Sequence, residues 1–345
     1  MLDSIETENE FIEKPVPVKI VDIAKAAGVS TATVSRVLNG NDKVHPDTIK
    51  KVLRIADAMG YHPHVYAQGL ASKKKNRISM LIPVMSNYFI TEILRGVQDS
   101  LEDEDFDLNI VNVNNQADTY TQVENIIKKR WSEGYILISL HLNEDEYLKL
   151  KRFEVPLCLV DDSSELHDSV CFNNTKGAYL ATKFFLENSC KRIALLLANP
   201  DADPIKERMI GYQQALSEYG IQFDDSLVQT GNDMDRDGFN ERNGYQAMLK
   251  ILDLKPLPDA CFCTSDTKAI GALKAMKEKN KEIPIIGFDN LSVTHYIDLS
   301  SVSQPMYDMG FRATKKLISR MKNPDLKVSS ELYHPKLMLR SSSAF

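Results

Sequence analysis

The sequence predicts an α/β protein: a small three-helix head at the N-terminus, then a large core of parallel sheets covered by helices on both faces. Three observations predict it. Beyond Arg77, short apolar runs alternate with amphipathic stretches, as strand–helix–strand units do. From Lys19 to Tyr61, apolar residues recur at helical spacing in three blocks separated by turn residues. The formal charge of -6 is unevenly spread: residues 18–77 hold eleven Lys or Arg against four Asp. A basic head therefore sits on an acidic body, which suits neutralisation of phosphates by one small domain. A chain of 345 residues, 43% hydrophobic, fits two or three soluble domains.

In the head, Ile20, Ile23, Ala24 and Ala27 share one face of a first helix that ends at Gly28. Ser30 caps a second, in which Val34, Val37 and Leu38 face inward and Thr31, Ala32, Ser35 and Arg36 face outward, until Asn39-Gly40 ends it. Pro46 and Asp47 open a third, with Ile49, Val52, Leu53, Ala56 and Met59 apolar and Gly60 at its end. The short Ala27-Gly28-Val29 turn makes the first pair a helix-turn-helix, whose second helix fits the major groove. Arg36 then suits guanine or a phosphate, and Thr31 and the Ala32 methyl suit base edges. The pattern by itself also fits a helical bundle with a solvated basic face.

The core strands are expected at 78–83, 108–113, 135–139, 157–160, 192–197, 260–263 and 283–288, with helices such as Thr91–Glu104, Tyr120–Glu133 and Gly177–Asn188 between them. Ligands in such folds sit beyond the carboxyl ends of the strands. Asp233, Asp235, Asp237 and Gly238 open like a calcium loop, but Gly244 stands where the last ligand, a glutamate, belongs. Cys261-Phe-Cys263 has no partner His or Cys pair nearby and reads as a buried strand, not a zinc site. No metal or cofactor is expected.

The run Val18-Lys-Ile-Val-Asp-Ile-Ala-Lys-Ala-Ala-Gly-Val-Ser-Thr-Ala-Thr-Val-Ser-Arg-Val-Leu-Asn-Gly40, continued by Val52-Leu-Arg-Ile-Ala-Asp-Ala-Met-Gly-Tyr-His-Pro63, resembles the signature of the LacI/GalR (lactose-repressor) family. That resemblance implies a transcription regulator, most simply a repressor, binding a pseudo-palindromic DNA operator as a homodimer. The acidic start, 1–17, is expected to be disordered; the resemblance implies the head over 18–62 and a hinge over 63–76 that folds in the minor groove. There Leu70 is the apolar wedge, with Ala67 and Gln68 beside it; Gln68 replaces a frequent Arg, and Gly69 lowers helix propensity. The core, 77–345, is implied to be two doubly wound subdomains like periplasmic sugar-binding proteins: about 77–172 with 304–323, and 173–295 with 332–345. Crossings are expected near 171–174, 294–304 and 323–332.

In the cleft between the subdomains, the resemblance places Arg208 and, opposite it, Asp289, a fork and a carboxylate suited to vicinal hydroxyls. Ser86, Asn87, Phe89, Ile90, Ser265 and Asp266 fall at other cleft positions, and Phe239 in the charged segment 231–244 serves as an aromatic wall. Val84 stands where many sugar-sensing members carry Asp. The expected effector is a sugar or sugar phosphate, with a nucleobase or a protein co-regulator as the alternative.

Five scattered cysteines, the acidic start and the lack of a long apolar run lead to a cytoplasmic, membrane-free expectation. An enzyme is disfavoured, since the chain has no Walker loop, nucleophile elbow or H-E-x-x-H motif. A secreted sugar-binding protein would share the core but lack the basic head.

Overall fold

The computed structural model describes residues 18–38, 44–61, 76–83, 88–114 and 118–345. The chain forms two units that divide after Lys75. In the first, helices α1 (Ile20–Ala27), α2 (Thr31–Leu38) and α3 (Pro46–Ala58) close around Ile23, Ala24, Ala27, Val34, Val37, Val52 and Ala56. Local chemistry sets the ends. The Lys19 amide donates to Asp22 Oδ2 at 2.8 Å, the Thr33 amide to Ser30 Oγ at 3.1 Å, and Pro46 opens α3 where no amide is needed. Gly28, at φ 66°, takes the left-handed turn between α1 and α2 that a side chain would resist. Leu53, one of the apolar residues of α3, is 48% exposed.

The second unit contains two six-stranded sheets. The first is built from β1 (Arg77–Ile82), β2 (Asp107–Asn112), β3 (Gly134–Ile138), β4 (Leu157–Val160), β5 (Asp168–Phe172) and β11 (Ser330–Tyr333), in the order β11-β5-β4-β3-β1-β2. The second uses β6 (Ile193–Leu196), β7 (Val228–Gln229), β8 (Ala260–Cys263), β9 (Ile285–Asp289), β10 (Ser300–Ser303) and β12 (Lys336–Met338), in the order β12-β10-β9-β8-β6-β7. Every pairing is parallel except β10 with β12.

Helices α4 (Tyr88–Leu101), α5 (Thr119–Lys128), α6 (Glu144–Lys151) and α11 (Met306–Lys322) belong with the first sheet; α7 (Asn174–Glu187), α8 (Asp203–Glu218), α9 (Glu241–Leu252) and α10 (Asp266–Glu278) belong with the second. The helices pack as close pairs, α4 on α11, α7 on α8, and α9 on α10. Strands read as continuous apolar runs because both faces are covered: β3, β4, β6 and β8 are buried at every position.

The chain passes between the sheets three times: after Phe172, after Ser303 and after Tyr333. The third passage is a correction. Sequence places it at 323–332, but Ser330–Tyr333 first pairs in parallel with β5, so the chain crosses at His334-Pro335. The polar run Ser-Glu-Leu-Tyr forms an edge strand whose outward side chains give no apolar signal.

Candidate functional site

Between the sheets lies a cavity of about 400 Å³. Its walls come from segments that follow strand carboxyl ends. Pro83 follows β1; Ser139, Leu140 and His141 follow β3; Asp161 follows β4; Asn199, Asp201 and Asp203 follow β6; Ser265 and Thr267 follow β8; Asp289 and Leu291 end or follow β9. Tyr88, Phe89 and Ile90 enter from the start of α4, and Asp237 and Phe239 from the segment before α9. Ser139, His141, Asp161, Asp237 and Asp289 all hold positive φ, between 48° and 108°. Such backbone costs roughly 1–3 kcal/mol per residue and collects where a fixed rim is needed.

Arg208, on α8, is 4% exposed and fixed on several sides. Its Nε donates to Asn174 Oδ1 at 3.0 Å, one terminal nitrogen to the Thr264 carbonyl, and the other to Gln304 Oε1 at 3.4 Å. Asp289 Oδ1 lies 3.8 Å from that last nitrogen. The guanidinium carbon stands 3.6 Å from the centre of the Phe288 ring. Phe288 of the second sheet meets Phe172 of the first edge to face, with centroids 5.9 Å apart. The cation is therefore seated where the two sheets join, with little freedom to leave.

Carboxylates dominate the rest. Asp161 accepts from Ser139 Oγ at 2.8 Å, and burial pushes its carboxyl above the usual range, against the pull of His141 and Arg208. Burial pushes Asp289 up to about 7, outweighing the nearby guanidinium. Behind the wall, burial also raises Asp162 and Glu207; Tyr147 donates its hydroxyl to Asp162. The cavity thus presents strong acceptors in a partly dry setting, beside aromatic faces.

Of the residues singled out from sequence, Phe89, Ile90, Arg208, Phe239, Ser265 and Asp289 line this one cavity. Asp266 is not among the lining residues. Fully buried, it accepts from the Leu291 amide at 2.8 Å and from Ser301 Oγ at 2.6 Å, so it braces the β9 end instead of facing the cavity. Ser86, Asn87 and Val84 lie outside the described residues, as do Ala67, Gln68 and Leu70. Sequence reasoning missed Ser139, His141, Asp161, Asn199, Asp201, Asp203 and Asp237. Most sit immediately after a strand, a signal the carboxyl-end rule makes available once the strands are found.

In the head, Thr31, Ala32 and Arg36 are exposed on the outer face of α2, and Ser35 is half-buried beside them. No helix among the described residues is long and apolar enough to cross a membrane, and no group of three His, Cys, Asp or Glu among them is placed to hold a metal.

Residues 19–64 match the family described as bacterial regulatory proteins, lacI family, and residues 182–343 match a periplasmic binding protein-like domain. Over 335 residues the chain is 32% identical to the HTH-type transcriptional regulator RegA of Clostridium saccharobutylicum, covering 94% of this chain and 98% of that protein. The chain belongs to the lacI family of bacterial regulatory proteins. As a lacI-family member it is a DNA-binding transcriptional regulator, like the relatives it matches, and not an enzyme.

The likeness to solved structures of this family spans both matched regions. The Lac repressor dimer bound to operator and the anti-inducer ONPF superposes with a TM-score of 0.77 at 23% identity, covering 95% of this chain and 99% of that one. The transcriptional regulator CelR–cellobiose complex gives a TM-score of 0.67 at 25% identity, covering 94% and 99%.

Proposed function

We propose that this regulator binds a pseudo-palindromic operator as a homodimer, with affinity set by a neutral, polyhydroxylated effector of the saccharide class held in the cleft. Thr31, Ala32 and Arg36 read the major groove, with Ser35 beside them, and Leu70, flanked by Ala67 and Gln68, wedges the minor groove. A ligand with different affinity for two arrangements of the core shifts the balance between operator-binding and released states.

The observation that carries the effector class is charge. Asp161, Asp201, Asp203, Asp237 and Asp289 line the cavity, while Arg208 is already engaged by Asn174, the Thr264 carbonyl, Gln304 and Asp289. A phosphate would meet carboxylates with the guanidinium already committed. Sugar hydroxyls instead donate to carboxylates, and Tyr88, Phe89 and Phe239 offer faces for the apolar side of a ring. The cavity volume of about 400 Å³ lies within the range of small-molecule sites. The cellobiose bound by CelR, a structural neighbour, supports the same class.

The test is thermal denaturation of the whole protein with cellobiose, glucose, ribose, glucose 6-phosphate and a purine base. A ligand at a hundred times its Kd stabilises the folded state by about 2.7 kcal/mol. The expected result is a rise in melting temperature with a neutral saccharide that exceeds any rise with glucose 6-phosphate. A larger response to the phosphate, or to the purine base alone, would overturn the assignment.

A further inference from the structure

Lys268 is fully buried in the first turn of α10, and its side-chain amine has no carboxylate partner among the described residues. Its burial is deep enough to oppose the charged form, and the groups that act on it are the thiols of Cys261 and Cys263, which belong to a buried apolar layer. A methionine would fill such a place without the cost of an uncompensated charge. The lysine is therefore a poor choice for stability, and its hydrogen bonds show what it does. Nζ donates to Asn243 Oδ1 and, at 3.4 Å, to the Gly238 carbonyl.

Asn243 is the hub of the segment that forms one wall of the cavity. The same Oδ1 accepts from the Gly231 amide at 3.0 Å, and Nδ2 donates to the Asp233 carbonyl at 2.8 Å. Asn240 adds a bond from Nδ2 to the Asp235 carbonyl at 2.7 Å. The Asp237 carbonyl takes the Asn199 amide at 2.8 Å, joining this segment to the wall that follows β6. Gly231 and Gly238 of this segment are thus held by one asparagine and one buried amine, and Asp237 and Phe239 on either side of Gly238 line the cavity.

We propose that Lys268 is a positioning residue for the effector cleft, a buried amine whose hydrogen bonds hold segment 231–240 so that Asp237 and Phe239 face the ligand. The clamp loosens as the solution is acidified towards neutrality from the alkaline side. Whether it serves effector binding rests on the saccharide reading above; the clamp itself does not.

The sign follows from proton binding. Burial pushes the Lys268 amine down to about 7 while the segment is closed, and opening returns it towards its ordinary value of 10.5. Between those values the open form binds more protons, so closure strengthens as pH rises from 7 and is weakest below 7. The titratable groups that act on the Lys268 amine are the Cys263 and Cys261 thiols of β8. Burial raises Cys261 above the ordinary thiol range, which keeps that group neutral over this interval.

Amide hydrogen exchange across 231–240 in the full-length protein, corrected for chemical exchange, tests the clamp without a ligand. In the wild type the opening constant should fall by up to about tenfold per pH unit above 7. In Lys268→Met it should be flat with pH and, at pH 9, where the wild-type amine is neutral and still donates to Asn243, about tenfold larger than in the wild type, with a melting temperature at pH 7 equal to or above that of the wild type. Equal exchange in the two proteins would overturn the proposal. So would a Lys268→Met protein that loses melting temperature and exchanges faster throughout, since that is loss of packing. Cellobiose, glucose and ribose then serve as probes: any that stabilises the wild type should bind Lys268→Met about tenfold more weakly, and equal binding would refute the positioning role. If none stabilises the wild type, the saccharide reading falls while the exchange result still decides the clamp.

Discussion

Arg208→Ala should abolish the response to effector and lower the stability of the core by about 3–5 kcal/mol, the usual cost of removing one partner from a buried charged network. The guanidinium is the donor for Asn174 Oδ1, the Thr264 carbonyl and Gln304 Oε1, and the ion-pair partner of Asp289; alanine leaves all four short of a partner in a buried setting. Arg208→Lys should recover part of the stability and little of the response, because an ammonium cannot replace the planar fork over Phe288. Chemical denaturation of the core and saccharide-induced melting shifts of each variant check both halves. A variant with wild-type stability and an undiminished melting shift would show that the cleft is organised by other groups.

Gly271→Ala should be comparably severe for a different reason. A Cβ there would lie 1.8 Å from the Glu241 carbonyl oxygen and 2.7 Å from the Tyr245 nitrogen, both backbone atoms of α9. Neither can turn aside as a side chain would, so α9 and α10 must separate along their length. Overpacking of this kind costs about 3 kcal/mol, which corresponds to a fall in melting temperature on the order of 10 °C. Ser217→Ala on the exposed side of α8 is the control and should stay within about 0.5 kcal/mol. The displaced α9 carries Asn243, so Gly271→Ala should also speed amide exchange in 231–240.

These two positions differ in how readily the sequence disclosed them. Arg208 was found through its place in a family motif, and its neighbours bear out no local pattern: Asn174, Gln304 and Asp289 come from separate passages of the chain. The head was legible in detail because its structure is local. Cap residues, the Gly28 turn and the spacing of Ile23, Ala27, Val34 and Val37 act within a few residues of one another. The central strands β1, β3, β4, β6, β8 and β9 were legible because burial on both faces leaves unbroken apolar runs.

The polar strands were not. In β10, Ser300 and Ser301 are fully buried, and their hydroxyls are satisfied by Ser343 and by Asp266, residues more than thirty positions away. Nothing nearby in sequence distinguishes such a strand from a serine-rich loop. Asp266, placed in the cleft by the resemblance, has its carboxylate on the Leu291 amide and the Ser301 hydroxyl, partners that lie 25 and 35 positions away in the chain. The carboxylate excess of the cleft is not legible in the sequence, because it is a sum over four segments that only the fold brings together.

The most direct test of the account is the affinity of the full-length protein for a DNA duplex that it selects from a random pool, measured by fluorescence anisotropy with and without a saturating saccharide. The account predicts a change in Kd of at least about fivefold, the lower range of allosteric coupling. It also predicts that Arg36→Ala weakens binding and makes it less dependent on salt. An operator affinity that is the same with and without a saccharide shown to occupy the cleft would contradict it.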